Sequence, residues 1–91
     1  MDEEIKILFR TIYLPIANSR NRYNGNDFLE VAVKLLDEIR KQTNSSEKIR
    51  LAAVTMVHCF NDLLDPKISL RDCDELVDIL VRNSNNLNHY R

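Results

Sequence analysis

Apolar side chains recur every three or four residues in four separate stretches of this chain, with polar residues between them. In the first stretch Ile5, Leu8, Phe9, Ile12 and Ile16 fall at i, i+3, i+4, i+7 and i+11, which predicts one apolar stripe on a helix. Asp2, Glu3 and Glu4 occupy its first turn, where carboxylates favour the positive end of the helix dipole. Pro15 has no N–H and crowds the preceding turn, so the helix is expected to kink or stop near Leu14. On a bent axis, Ile16 and Ala17 would continue it. Residues 18–26 are polar, hold the single glycine (Gly25) and read as a loop.

A second helix is predicted to open at Asn26 or Asp27, with Asp27 and Glu30 as a loose capping box. Its apolar arc includes Phe28, Val31, Ala32, Leu35, Leu36 and Ile39, wide enough to meet two neighbours, and it ends at Lys41-Gln42-Thr43. Asn44 and Glu47 are the next cap candidates, before a third helix from about Ser45 to Leu64. Its Ala52 and Ala53 permit close helix approach, and its long apolar set predicts the most buried helix. Asp65-Pro66-Lys67 breaks it. Ser69 with Asp72 caps the fourth helix, with Ile68 and Cys73 in the staple positions. Leu70, Cys73, Leu76, Val77, Leu80 and Val81 follow at helical spacing. This helix is expected to fade near Arg82 or Asn83, leaving a flexible polar tail over about 84–91.

Four amphipathic helices with short connections predict an all-α fold, an antiparallel up-down four-helix bundle in a single domain spanning 1–91. Composition agrees. One Gly and two Pro are too few for the turns of a sheet protein, and 44% hydrophobic with 30% charged residues is ordinary for a packed domain.

Charge narrows the partners. Thirteen basic and fourteen acidic residues give a net charge of -1, with no general drive towards nucleic acid or anionic lipid. As a helix-turn-helix reader the fourth helix would carry Asp72, Asp74 and Glu75 towards phosphate, which counts against it. Arg10, Arg20 and Arg22 form a local basic patch, read either as a solvated loop or as a contact for an anionic partner. The start, Met1-Asp2-Glu3-Glu4, lacks the basic-then-apolar order of a signal peptide, and no apolar run approaches the length of a membrane span. Cys59 and Cys73 are expected as reduced core residues of a cytoplasmic protein, with a single bridge as the alternative.

Catalytic chemistry is scarce. His58, Cys59, Cys73 and His89 are the residues from which a zinc set could be built, but they come from two helices and a tail, and His58 is expected at the edge of the core. No Gly-rich phosphate loop or nucleophile motif is present. Asp78 and Arg82 stand at i, i+4 as a surface ion pair. The expectation is a binding protein, not an enzyme, without a cofactor.

The stretch from Asp27 to the end resembles the pediocin-like (class IIa) bacteriocin immunity proteins of the enterocin A immunity type. The resemblance lies in three features. An amphipathic helix (Asp27 to Lys41) precedes a long apolar one (Ile49 to Leu64). A turn leads into Ile68-Ser69-Leu70-Arg71-Asp72 and a helix with Leu76, Ile79 and Leu80. The chain closes on a polar segment, Arg82-Asn83-Ser84-Asn85-Asn86-Leu87-Asn88-His89-Tyr90. The resemblance implies a cytoplasmic antiparallel four-helix bundle that protects lactic acid bacteria and their relatives; separately, the chain is expected to be a monomer. It implies recognition of a bacteriocin already engaged with membrane components of the mannose phosphotransferase system, compatible with peripheral contact at the membrane. It places specificity in the C-terminal part, on Arg82, Asn85, Asn86, Asn88, His89, Tyr90 and Arg91. The alternative reading is a small helical regulatory adaptor or inhibitor that holds a partner helix in an apolar groove.

Overall fold

The computed structural model describes residues 2–89, with backbone alone at residue 2 and residues 85–89. Four helices follow in order: α1 (Asp2–Ser19), α2 (Gly25–Gln42), α3 (Ser46–Leu63) and α4 (Leu70–His89). They form an antiparallel up-down four-helix bundle. Phe9 and Tyr13 of α1 meet Phe28 at the start of α2, so these two helices run in opposite directions. A connection of only six residues, 64–69, turns α4 back along α3, and Arg50 near the start of α3 reaches Asp78, past the first two turns of α4, so the second pair is antiparallel as well. Arg40 near the end of α2 reaches Ser84 near the end of α4, so α2 and α4 run parallel. Both α2 and α3 touch every other helix, whereas α1 and α4 share no contact among the described residues. The middle of the bundle therefore belongs to α2 and α3 jointly, not to α3 alone.

The stripe that α1 buries differs from the expected one. Ile5, Phe9, Tyr13 and Ala17 are buried, at i, i+4, i+8 and i+12, while Leu8 and Ile12 are exposed. The cause is aromatic packing. Phe28 of α2 and Phe60 of α3 stack with ring centroids 4.3 Å apart and planes 10° from parallel. Tyr13 sets its edge against both rings, at 6.5 Å and 5.9 Å, and Phe9 lies edge-on to Phe28 at 5.7 Å. Full burial of each such ring contributes about 2–3 kcal/mol, and each well-oriented pair adds about 0.5–1.5 kcal/mol, more than a turned-in Ile12 would supply. Buried Ala32, Ala52 and Ala53 let the helix axes come close around this cluster.

Pro15 does not end α1, which continues through it to Ser19. Pro15 and Thr11 both face outward, so the Thr11 carbonyl that loses its partner is left where water can reach it. The helix ends in a Schellman motif: the Arg22 N–H donates to the Ala17 carbonyl and the Asn21 N–H to the Asn18 carbonyl, both at 3.1 Å. Asn21 takes φ 54°, a left-handed conformation that asparagine tolerates.

The caps are shifted from their expected places. The Asn24 side chain caps α2 by accepting the Asp27 N–H at 2.9 Å, and the Asn24 amide donates to the Asp27 carboxylate at 2.7 Å. Asp27 is thus the interior member of the box, not its cap. Its carboxylate is buried and also accepts from Arg20 at 2.6 Å. Ser45, not Asn44, caps α3, accepting the Lys48 N–H at 3.2 Å. Ser69 caps α4 as expected, accepting the Asp72 N–H at 3.1 Å, and Ile68 is half-buried against the core that holds Cys73.

Tyr13 gives the core a pH limit. Its burial, then the nearby Asp27 and Tyr23, push its phenol from 10.0 up to about 12. An unfolded phenol loses its proton near 10 while the folded one keeps it to about 12. The folded state binds more protons across that window, so its stability falls as pH rises through it. Urea titrations at about pH 9 and about pH 11 should show a lower midpoint at the higher pH, with a smaller drop in Tyr13→Phe; equal drops in both proteins would assign the loss to another group.

Candidate functional site

The expected partner-binding residues all fall on or beyond the second half of α4. Its inner strip is Cys73, Val77, Leu80 and Ser84, buried at i, i+4, i+7 and i+11. Asp74, Glu75, Asp78 and Arg82 lie on the exposed side. The helix does not fade at Arg82 or Asn83 but continues for nearly two more turns to His89. Ser84, expected to open a flexible tail, is wholly buried.

The reason lies on α2. The Arg40 Nε donates to Ser84 Oγ at 2.8 Å, and Arg40 Nη2 donates to the Val81 carbonyl at 3.3 Å. Ser84 Oγ in turn donates to the same carbonyl at 3.0 Å. Burial holds the Arg40 guanidinium below its usual value, opposed by the nearby Asp37 carboxylate. An arginine nonetheless stays charged throughout the accessible pH range, so these are charge-assisted bonds. This clamp had one readable sign in the sequence: Ser84 continues the period of Cys73, Val77 and Leu80. Arg40 had none, because it is 44 residues away.

Beyond the clamp the register divides the expected residues. Asn85, Asn86 and His89 follow Arg82 at i+3, i+4 and i+7, whereas Asn88 follows the buried Ser84 at i+4. Tyr90 and Arg91 lie outside the described residues. The Asp78 carboxylate pairs with Arg50 of α3 at 2.8 Å instead of with Arg82, whose Nε lies 3.5 Å from the Asp78 carbonyl. Both partners of the Arg50–Asp78 pair are more than half exposed, so it positions α4 against α3 and contributes little energy.

The other candidates are dispersed. Arg10 lies close enough to Cys59 of α3 to act on its thiol, Arg20 is bound to Asp27, and Arg22 is exposed in the turn, so the basic residues do not form one anion site. His58 is exposed rather than at the core edge. Among the described residues no group of three or more His, Cys, Asp or Glu is placed to hold a metal. Cys59 and Cys73 are free and buried. Burial pushes both thiols up, opposed at Cys59 by Arg10 and Lys6 and reinforced at Cys73 by Asp74 and Asp72. They remain protonated near neutrality, which makes them poor nucleophiles.

A second surface feature lies between α1 and α2. Two open recesses, about 190 and 280 Å³, share Leu35 and Glu38 in their walls. Ile12 and Ile16 line the first, Leu8 and Ile39 the second.

Replacing Arg40 by Met keeps most of its apolar stem and removes its donors. Denaturant unfolding should show a loss of about 1.5–2 kcal/mol, with faster amide exchange at the end of α4; a change under about 0.5 kcal/mol would mean that the clamp does not hold this helix. No family model, curated protein or solved structure matches the chain.

Proposed function

We propose that this chain is a bacteriocin immunity protein that recognises a pediocin-like bacteriocin in complex with mannose phosphotransferase components at the cytoplasmic face of the membrane. The observation that carries this reading is the Arg40–Ser84 clamp. It fastens α4 to the bundle at Val81 and Ser84, on either side of Arg82 and just before Asn85, among the positions that the resemblance associates with specificity. A recognition segment fixed at its root loses less conformational entropy on binding than a free tail does. Arg82 stands exposed at the start of that segment, and Asn85, Asn86 and His89 follow it in helical register.

Such a role requires no reaction, and the buried thiols of Cys59 and Cys73 offer none. Among the described residues no helix is long and apolar enough to cross a membrane, so contact with a membrane complex would be made from its surface. The amides of Asn85 and Asn86 are donors and acceptors at once, which suits recognition of a polar protein surface over recognition of phosphate.

Expression in a sensitive strain tests the reading. The inhibitory concentration of at least one pediocin-like bacteriocin should rise by about tenfold or more, and unchanged sensitivity across a panel would contradict it. Truncation after Ser84 should abolish protection while the clamp and the helical circular dichroism persist.

A further inference from the structure

Asn24 is followed by Gly25, and none of the other asparagines in the chain precedes a glycine. A side chain on the following residue shields its backbone nitrogen and limits its rotation; glycine does neither. That nitrogen is the nucleophile when an asparagine closes its own side-chain amide to a succinimide. The fold does not need glycine at 25. A Cβ built there meets nothing within 4 Å, and the Gly25 φ is not in the left-handed region. Gly25 is exposed, at the first position of α2, where an N–H has no partner within the helix.

Native geometry restrains this reaction. Asn24 caps α2 at φ -120° and ψ 156°. Ring closure needs a different ψ, one that swings the Gly25 nitrogen towards Asn24 Cγ. The side chain is also held at both of its polar atoms: Oδ1 accepts the Asp27 N–H at 2.9 Å, and Nδ2 donates to the Asp27 carboxylate at 2.7 Å. The Asn24 carbonyl accepts the Phe28 N–H at 3.2 Å and the Tyr13 hydroxyl at 3.4 Å. Closure therefore waits for the first turn of α2 to open. The contacts that restrain the reaction are also the ones its products disturb.

We propose that Asn24-Gly25 is a self-modification site, gated by the cap of α2, whose product loosens that helix from the aromatic core. The Gly25 nitrogen attacks Asn24 Cγ. The N–Cγ bond forms, the Cγ–Nδ2 bond breaks, and ammonia leaves with the proton of the Gly25 N–H. Water then opens the succinimide. Addition at Cγ leaves aspartate at position 24, and addition at the main-chain carbonyl leaves isoaspartate. Either product removes the amide that donates to the buried Asp27 carboxylate and adds a negative charge at the same residue. Isoaspartate also takes the carbonyl that accepts from Phe28 out of the main chain. Phe28 is the ring that stacks on Phe60, so the change reaches the core.

Ageing of the full chain in mildly alkaline buffer, followed by peptide mapping, tests this. The first modification is expected at Asn24, with the mass gain of NH2 exchanged for OH and with isoaspartate among the products. It should run about tenfold or more slower than in the same chain held unfolded in urea. Asp27→Ala, which frees the Asn24 amide, should speed it about fivefold, whereas Arg40→Met, at the far end of α2, should leave it within about twofold of the parent. Gly25→Ala should suppress it, with helical circular dichroism retained. The isoaspartate form, separated from the parent, should unfold at a lower urea concentration. Gly25→Ala and the comparison of folded with unfolded chain leave the cap intact, so the test stands even if Asp27→Ala does not fold. First modification at another asparagine would overturn the proposal, as would equal rates in the folded and unfolded chain or an isoaspartate form as stable as the parent. Equal acceleration by Asp27→Ala and Arg40→Met would place the reaction in globally unfolded molecules and overturn the gating by the cap.

Discussion

Phe28 and Phe60 stack at 4.3 Å where α1, α2 and α3 converge, and the orientation of the bundle follows from that contact. Phe28 lies in the first turn of α2 and Phe60 in the last turn of α3, so their stacking fixes the relative height of the two central helices. Tyr13 then packs edge-on to both rings and sets the rotation of α1. The ring that sets this rotation also leaves Leu8 and Ile12 outside. An interior packing choice thereby creates the exposed ridge on α1. A greasy helix cannot bury its whole circumference against two neighbours, and the side that loses becomes surface.

The polar contacts act at the two ends of α2. At its start, Asn24, Asp27 and Arg20 close the turn from α1, with the Asp27 carboxylate satisfied by two partners within 2.7 Å. At its end, Arg40 holds α4 through Ser84. Helix α2 is thus joined to α1 and α3 through aromatic rings at one end, and to α4 through a guanidinium at the other. Since α1 and α4 share no contact among the described residues, α2 and α3 are what connects them there.

The four helices, the break at Asp65-Pro66 and the Ser69 cap could be read from period and local chemistry, because each depends on residues a few positions apart. The phase of α1 could not. Ile5, Ile7, Leu8, Phe9, Ile12, Tyr13, Leu14, Ile16 and Ala17 spread around most of its circumference, and the choice among them is made by Phe28 and Phe60, far along the chain. The cap of α2 was ambiguous for a different reason: Asn24 with Asp27 and Asp27 with Glu30 both have the spacing of a box, and the burial of the Asp27 carboxylate against Asn24 and Arg20 separates them. The same contrast holds at the candidate site. Arg82 could be placed from local period, but the anchoring of Ser84 depends on an arginine contributed by another helix.

A double-mutant cycle on Phe28→Leu and Phe60→Leu, followed by denaturant unfolding, tests the central packing claim most directly. Leucine keeps both sites apolar while it removes the stacked faces. The account predicts a coupling of about 1 kcal/mol or more between the two positions. Additivity to within about 0.3 kcal/mol would contradict it, because rings in stacking contact cannot contribute independently.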